Sequence, residues 1–338
     1  MTPSPELHHR SFAAAALFPY FLTHLVRSSP PPSPMAIPAQ RIQQIVRHFK
    51  PSTMGRLSVS LAPWRATLVS HLEAMDSPTF VLSSLHRQDG SATTPSAQRT
   101  PDAAPFSPRA RTVVYRGMWA GLSLNPRNPA PRNPNVYQTD LLTITTDVRM
   151  DKVSEMFHEP CTISTNAPQT LQSSPGGFVE AVIWAAHAQT QWRIRGRVYM
   201  IGPDIDSDAA QPVRQALSAH MRRQHAGNTE MLAEADGWQW AKELTAHFGN
   251  ISPLMRGSFR NPPPGTPISQ APGPGLGLGQ KVDDLHDEIA RQNFRVLAIA
   301  PEQVDQVDLS DPERARRWRH DLILSGDEGS WKTTELWP

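Results

Sequence analysis

The sequence predicts a mainly β protein with a few helices, arranged as a closed antiparallel barrel with helical decoration. Six or more segments combine β-branched and aromatic residues with the period-two alternation of strands, and a few helical segments lie between them. Proline accounts for 34 of the 338 residues, which argues against an all-helical protein and predicts long irregular connections. The chain has no internal repeat at a fixed period.

The first half of the predicted domain opens with a helix. Residues 62–75 (APWRATLVSHLEAM) carry apolar side chains at helical spacing, behind a proline suited to a first helical turn. Strands are predicted at 79–86, which ends at a QDG turn, and at 111–119 (RTVVYRGMW). Residues 140–146 (DLLTITT) alternate in the same way, and 151–158 have a short helical pattern.

The second half predicts a hairpin, two helices and three final strands. FVEAVIWAAH and TQWRIRGRVYMI are long enough to pair as two strands of a hairpin. The period then changes to that of a helix over residues 209–248. The chain closes with the strand candidates FRVLAIAPEQVDQVDLS, RRWRHDLIL and SWKTTELWP.

One domain is expected over residues 62–338, after a disordered extension and linker at 1–55. The apolar run at 13–26 is too short for a membrane span, so no stable membrane insertion is expected, although the run could act as a targeting segment. We expect a cytoplasmic protein, or a mitochondrial one if residues 1–34 are a presequence. Insertions rich in proline or polar residues are predicted near 91–109, 123–137, 159–177 and 261–282.

Composition excludes several classes of protein. The net charge is only +2 and the chain has no long run of lysine or arginine, which argues against a nucleic-acid partner. The single cysteine, Cys161, excludes an internal disulfide framework and a metal site built from several cysteines. No metal site is predicted.

Three segments carry cationic side chains in patterns that suit an anion. In ARTVVYRG (110–117), the two arginines lie on opposite faces of a strand, so one of them can reach a phosphate. In TTDVRMDK (145–152), an arginine and a lysine three residues apart can cover the same helical turn. In TQWRIRG (190–196), alternate polar side chains share one strand face. We expect these segments to converge on one phosphate-bearing ligand, with candidate contacts from Arg111, Arg116, Arg149, Lys152, Gln191 and Arg193.

The order of these segments resembles the pyridoxamine 5'-phosphate oxidase-like, FMN-binding split-barrel family, and in particular its members known only by that domain. The resemblance covers most of residues 62–338. It includes APWR at the start, the three cationic segments, RGSFRNPPPG at 256–265 and a final strand ending in ELWP. It implies an FMN-binding split β-barrel with proline-rich insertions, and a homodimer that holds FMN at the subunit interface.

The resemblance also implies roles for individual residues. The pair Arg149 and Lys152 would hold the FMN phosphate, and Gln191 would contact the ring or its edge. Near the C-terminus, an arginine and an aromatic residue would lie against the flavin. The complete set of cofactor-binding candidates is Arg111, Thr112, Val113, Val114, Arg116, Thr145, Thr146, Arg149, Lys152, Gln191, Arg193, Ser258, Arg317 and Arg319.

Two departures from the family pattern bear on the substrate. Pyridoxamine phosphate oxidases hold the substrate phosphate with a lysine at the end of the first arginine strand, where this chain has Arg116. They also have an Arg-Pro-x-x-Ser stretch, which is missing from residues 202–218. That region is acidic instead, with Asp204, Asp206 and Asp208, and would repel a second phosphate.

The sequence therefore predicts an FMN-dependent oxidoreductase related to pyridoxamine phosphate oxidase, with a different or unknown substrate. Its partners would be a small-molecule substrate or electron donor and a second copy of the chain. A non-catalytic protein that binds FMN or another ligand is an alternative, and so is a true pyridoxamine 5'-phosphate oxidase. No catalytic residue can be nominated from the sequence.

Overall fold

The computed structural model describes residues 57–87, 106–123, 125–157, 172–224 and 237–338. The predicted extension at 1–55 lies outside the described residues, as do most of the predicted insertions at 91–109 and 159–177. Within the described ends of those two insertions, residues 106–109 and 174–177 belong to strands. Period-two alternation is weak there because each segment contains a proline.

Among the described residues, the strands are β1 (Ser58–Val59), β2 (Thr79–Arg87), β3 (Phe106–Val114), β4 (Tyr137–Gln138), β5 (Leu142–Asp147), β6 (Ser174–Ala185), β7 (Thr190–Ile201), β8 (Arg222–Arg223), β9 (Phe294–Asp308), β10 (Arg316–Ser325) and β11 (Glu328–Leu336). The α-helices are α1 (Arg65–Glu73), α2 (Asp151–Met156), α3 (Gln211–Ser218), α4 (Trp240–Gly249), α5 (Pro253–Gly257) and α6 (Glu288–Asn293). Each element predicted from the sequence has a counterpart here.

A closed ring of strands forms the barrel. Strands β3, β2, β6, β7 and β9 pair in that order, and β5 pairs with β9. The ring closes where the chain leaves β3, because the Arg116 amide donates to the Thr143 carbonyl (2.9 Å) and the Thr143 amide donates to the Gly117 carbonyl (3.0 Å). These pairings are antiparallel, as predicted.

The C-terminal half of β9 leaves the ring and carries an extension of the sheet. There β10 pairs with β9, β11 pairs with β10, and β1 adds a parallel pairing at the edge of β11. The register between β7 and β9 shifts between Arg195 and Gly196, which leaves Glu302 of β9 as a bulged residue near the change of partner. A Cβ atom at Gly196 would lie 2.1 Å from the Ala300 carbonyl oxygen, so only glycine permits this approach of β7 to β9.

Strand β9 separates two hydrophobic cores. Leu297 and Ile299 face the interior of the barrel, where they pack with Trp64, Trp192 and other apolar residues. The alternate residues Val296 and Ala298 face a second core on the outside, formed with α3, α4 and α6. Because both faces of β9 are buried, its first seven residues are all apolar except Arg295.

A cationic cavity between the barrel and a Pro/Gly segment

A cavity of about 1070 Å³ lies between the barrel and residues 251–278. Strand β3 and the chain after it contribute Thr112, Val113, Val114 and Arg116 to its lining, and β5 contributes Thr145, Thr146 and Asp147. The turn into α2 contributes Arg149, Met150 and Lys152. We call residues 261–279 the Pro/Gly segment; it is irregular, as predicted, and lines the cavity from Asn261 to Leu278.

Strand alternation explains the barrel side of the cavity. Val113 is buried in the barrel core. It lies opposite Phe80 of β2, which belongs to the same core. Its neighbours Thr112 and Val114 are exposed on the outer face and line the cavity, as does Arg116 further on. Thr112, Val114 and Arg116 therefore share one face, as strand alternation requires.

Arg116 has an unsatisfied guanidinium. Its Nε is buried and has no hydrogen-bond partner among the described residues. Burial lowers the pKa of Arg116 from its ordinary value, although an arginine remains charged at any physiological pH. A buried donor without an acceptor is costly, so a ligand that accepts a hydrogen bond from Arg116 would be stabilised.

Lys152 is the second cation of the cavity wall. It forms no hydrogen bond or ion pair with a described residue. Burial lowers its pKa, and the nearby charge of Arg111 lowers it further, whereas Asp147 and Glu155 act in the opposite direction. Partial burial disfavours the ammonium form of Lys152, and an anion in the cavity would reverse that effect.

Arg149 is tied to the protein on one side. Its Nε and Nη2 donate to the two carboxylate oxygens of Asp147, at 2.9 and 2.6 Å. Nη2 also donates to the carbonyls of Phe259 (3.3 Å) and Asn261 (3.1 Å), which join the Pro/Gly segment to the barrel. Nη1 makes no hydrogen bond to a described residue and remains available to a ligand.

Arg111 does not line this cavity. It lies on the core-facing side of β3, opposite Leu82, and donates to Ser84 Oγ (2.6 Å) and to the Glu155 carboxylate of α2. These contacts place Arg111 in an adjacent hollow of about 440 Å³, which Lys152 also lines. Its charge is therefore matched by Glu155 within the chain.

Four of the predicted residues form a second group on the extension of the sheet. Gln191 and Arg317 both lie opposite Val307, on either side of β9, and Arg193 and Arg319 both lie opposite Asp305. None of the four lines the cavity. The arginines are paired with carboxylates: Arg193 with Glu180 (2.8 Å), Arg317 with Asp305 (2.9 Å) and Arg319 with Asp321 (3.1 Å).

The expectation that six side chains converge on one anion is therefore wrong for a single chain. Arg116, Arg149 and Lys152 meet at the cavity, whereas Arg111, Gln191 and Arg193 do not. The physical reason is strand order. Strands β3 and β5 are neighbours through the closing pairing, but the residues of β7 in question pair with the half of β9 that has left the barrel.

Sequence reasoning missed several residues of the site. Asp147 holds Arg149 in place, and its position two residues before an arginine was the available signal. Asn261 lines the cavity and has a buried Oδ1 without a hydrogen-bond donor. Ser258, the residue that was predicted from that region, lines the cavity and donates to the Met255 carbonyl (2.7 Å).

A buried polar pair lies in the outer core, close enough to Arg116 to interact with it. His247 is stacked on Trp119 with ring centroids 5.5 Å apart, and its Nε2 lies 4.0 Å from a carboxylate oxygen of Glu243. Neither ring nitrogen of His247 has a hydrogen-bond partner among the described residues. Burial and the charge of Arg116 lower the pKa of His247 to about 3, so its ring is neutral at physiological pH.

The described residues contain no group of three or more His, Cys, Asp or Glu placed to hold a metal ion. Nor does any helix in the same ranges have the length and apolar character needed to cross a bilayer.

Comparison with known protein families gives a match over part of the barrel. Residues 61–202 match the family model described as "Pyridoxamine 5'-phosphate oxidase, FMN-binding domain". The charged wall of the cavity therefore lies within the part of the chain that matches this family of FMN-binding domains. The family, the fold class and the cofactor FMN that were predicted from the sequence are confirmed.

The chain also resembles individual proteins at low sequence identity. The uncharacterized protein YGR017W of Saccharomyces cerevisiae is 21% identical over 285 residues, which cover 71% of this chain and 90% of the yeast protein. A pyridoxamine 5'-phosphate oxidase-related, FMN binding protein from Nostoc punctiforme is 19% identical, with 82% of this chain and 99% of that chain covered and a TM-score of 0.44. PhzG from Burkholderia lata is 12% identical, with 84% and 100% covered and a TM-score of 0.33.

Proposed function

We propose that the protein is an FMN-dependent oxidoreductase whose cofactor lies in the cavity. The observation that carries this proposal is the pair Arg116 and Lys152, two partly buried cations without hydrogen-bond partners among the described residues, in the wall of a cavity formed by an FMN-binding domain. A phosphate monoester would supply the negative charge and the acceptor oxygens with which both side chains can pair.

The residues of the wall fit FMN in stated roles. Lys152 and the free Nη1 of Arg149 would hold the phosphate, and Asp147 keeps Arg149 in position for that contact. Arg116 would interact with another electron-rich part of the cofactor, and Thr112, Val114, Thr145 and Thr146 would complete the contact surface. Bound FMN supplies two-electron redox chemistry, while the protein supplies binding, orientation and charge.

We further propose that the active form is a homodimer in which the second group of residues serves the partner's cavity. The support is that Gln191, Arg193, Arg317 and Arg319 form a row of polar side chains on β7 and β10, away from the cavity of their own chain. A Gln191→Ala, Arg317→Ala double variant and a Lys152→Ala variant should each bind FMN weakly. Mixing and refolding the two should restore part of the wild-type FMN binding, and mixtures that restore none would contradict the proposal.

Cofactor identification and redox cycling test the function. The purified full-length chain should be yellow, and the chromophore released from it should be FMN. Bleaching by NADPH or NADH under nitrogen, followed by recovery in air, would establish oxidoreductase activity. A protein that retains FMN but is not bleached by either donor or by any substrate would be a non-catalytic binder. Turnover of pyridoxamine 5'-phosphate would instead identify a true pyridoxamine phosphate oxidase.

A further inference from the structure

Asp305 lies at the centre of the second group of residues. It is only 8% exposed, and on β9 it lies between Arg193 of β7 and Arg319 of β10. Side chains directly opposite one another on neighbouring strands share a face of the sheet. A buried carboxylate needs hydrogen-bond donors and positive charge around it, and the arginines on both sides of Asp305 supply that environment.

Arg317 is the arginine that depends on Asp305. Its Nε donates to both carboxylate oxygens of Asp305 (3.0 and 3.1 Å), and its Nη2 donates to Oδ2 (2.9 Å). The other two arginines of the group donate to other carboxylates instead. Among the described residues, the guanidinium of Arg317 has no hydrogen-bond partner besides Asp305, and its Nη1 is free.

This pair fixes the direction of the Arg317 guanidinium. Charge-assisted hydrogen bonds to both oxygens of a carboxylate hold a planar guanidinium in one orientation. An arginine held in this way loses less conformational freedom when a ligand binds, so the ligand binds more tightly. The free Nη1 is then the atom that the pair presents to a ligand.

The second group lies on the same face of the sheet as the cavity wall. Across strands β3, β2, β6, β7, β9 and β10, one row of directly paired residues consists of Thr112, Val81, Val182, Arg193, Asp305 and Arg319. The members of the row from Thr112 to Asp305 face outward, because residues next to them along their strands lie in the barrel core. Since Thr112 lines the cavity, the row runs from the cavity to the second group.

A second copy of the chain can bring the two ends of this row together. In a dimer with a two-fold axis, the same face of both copies forms the interface. When the axis runs along the strands and passes over β6, the order of the strands is reversed in the partner. Thr112 of one copy then lies opposite the partner's Asp305, and the partner's Arg317 lies beside the cavity.

We infer that Asp305 is a positioning residue for the partner's cavity, where it holds Arg317 in the orientation in which its free Nη1 reaches bound FMN. Asp305 makes no contact with FMN in this arrangement and acts through Arg317. The inference rests on the proposed function and on the proposed homodimer, and it assigns a role to a residue outside the set of cofactor contacts.

Two heterodimers that carry the same substitutions test the inference. Differently tagged copies of the full-length chain are co-expressed and purified over both tags in turn. The trans heterodimer has Lys152→Ala in one copy and Asp305→Asn in the other, whereas the cis heterodimer has both substitutions in one copy. One cavity of the trans heterodimer combines an intact Lys152 with the partner's intact Asp305. No cavity of the cis heterodimer has both.

Fluorescence titration of the two apoproteins with FMN measures the difference. The trans heterodimer should have one site of wild-type affinity, and the best site of the cis heterodimer should be roughly 2- to 10-fold weaker, as expected when an immobilised side chain is released. A residue that acts only within its own chain, or that only supports its own fold, gives the reverse order. Equal affinities or the reverse order would overturn the inference.

Two further variants separate the role of the carboxylate from a general effect on the extension. Glu335→Gln in place of Asp305→Asn removes the exposed pair of Glu335 with Arg316 (2.9 Å) and should leave one wild-type site in both heterodimers. Asp305→Glu keeps the carboxylate and should recover most of the affinity lost in the cis heterodimer. A glutamate variant as weak as the asparagine variant would also overturn the inference.

The unchanged homodimer is titrated with FMN first, so that the two levels of the argument fail separately. A wild-type chain that binds no FMN would refute the proposed function. A wild-type chain that binds FMN, combined with a failed ranking of the two heterodimers, would refute the role of Asp305 and leave FMN binding in place.

Discussion

At the scale of single residues, the cations at the cavity differ in whether a carboxylate of the protein pairs with them. Arg111 is matched by Glu155, and Arg149 is matched by Asp147. Arg116 and Lys152 remain without such partners among the described residues, and both are partly buried. Because an unpaired buried cation is unfavourable, these two side chains favour an anionic ligand over an empty state.

Lys152→Ala should weaken FMN binding by about 10- to 100-fold, the range expected for loss of a hydrogen bond to a charged group. The matched control is Lys281→Ala, since Lys281 is exposed and does not line the cavity. Arg149→Ala combined with Lys152→Ala should abolish retention of FMN during gel filtration. Fluorescence titration of apoprotein with FMN measures both effects, and equal affinities for the two lysine variants would contradict the assignment.

The pH dependence of FMN binding should reveal the environment of Lys152. Burial lowers its pKa below 10.5, so in the free protein the ammonium loses its proton at a lower pH than an ordinary lysine. FMN affinity should therefore be full near pH 7 and decrease as pH rises through that lowered pKa. Lys152→Arg keeps its charge over this range and should remove the decrease. An unchanged pH profile in Lys152→Arg would exclude Lys152 as its source.

At the scale of elements, the cavity exists because a segment without regular structure is held against a rigid barrel. The Pro/Gly segment is attached through Arg149 at its start and through Arg260 near its end. Prolines restrict its backbone and lower the conformational entropy lost when it is ordered.

Gly257→Ala should loosen the Pro/Gly segment. A Cβ atom there would lie 1.9 Å from the Gln280 carbonyl oxygen, so α5 and the end of the segment would have to separate. We expect faster dissociation of FMN and faster proteolysis within residues 261–279. Gly273→Ala is the control, because its Cβ atom would meet only Leu276 Cδ1 at an ordinary 3.5 Å. Stopped-flow release of FMN and limited proteolysis measure the difference, which should be absent if the segment is not part of the site.

At the scale of the whole molecule, stability depends on two cores that share β9, and two buried histidines of the described residues are neutral at physiological pH. Burial lowers the pKa of His247 to about 3 and that of His220 to about 4. Both values lie below the ordinary 6.5 that holds in the unfolded chain, so the unfolded state binds protons first as pH falls. The free energy of unfolding is therefore unaffected above about pH 6.5 and decreases below it.

Replacing His247 with phenylalanine should flatten this acid dependence. Each neutral buried histidine contributes a slope of about 1.4 kcal/mol per pH unit, between its unfolded and folded pKa values. His247→Phe removes one such contribution and keeps an aromatic ring stacked on Trp119. Urea unfolding at several pH values from 7 to 4 measures the slope independently of any change at neutral pH. A slope that equals that of the wild type would show that His247 is not neutral in the fold.

The local patterns of the sequence were sufficient for the elements and for part of the site. Of the cofactor contacts predicted in RTVVYRG and TTDVRMDK, Thr112, Val114, Arg116, Arg149 and Lys152 line one cavity, because strand and turn geometry depend on neighbours along the chain. Their contact with FMN stays a prediction. The same reasoning could not locate Asn261 or the charge partners Asp147 and Glu155 as parts of one site. Asn261 is distant in sequence from Arg149, which it contacts. Asp147 and Glu155 would compete with a ligand for the guanidinium groups of Arg149 and Arg111.

The amino-acid sequence by itself determined that this is a β-barrel with FMN-binding segments in a recognisable order, because hydrophobic periodicity and cationic motifs are local properties. Only the tertiary structure decided which cations share a cavity, since that depends on the closing pairing between Arg116 and Thr143 and on where β9 leaves the barrel. It also decided that an uncharged segment completes the cavity. Attachment of that segment at Arg149 and Arg260 depends on long-range hydrogen bonds that no local pattern encodes.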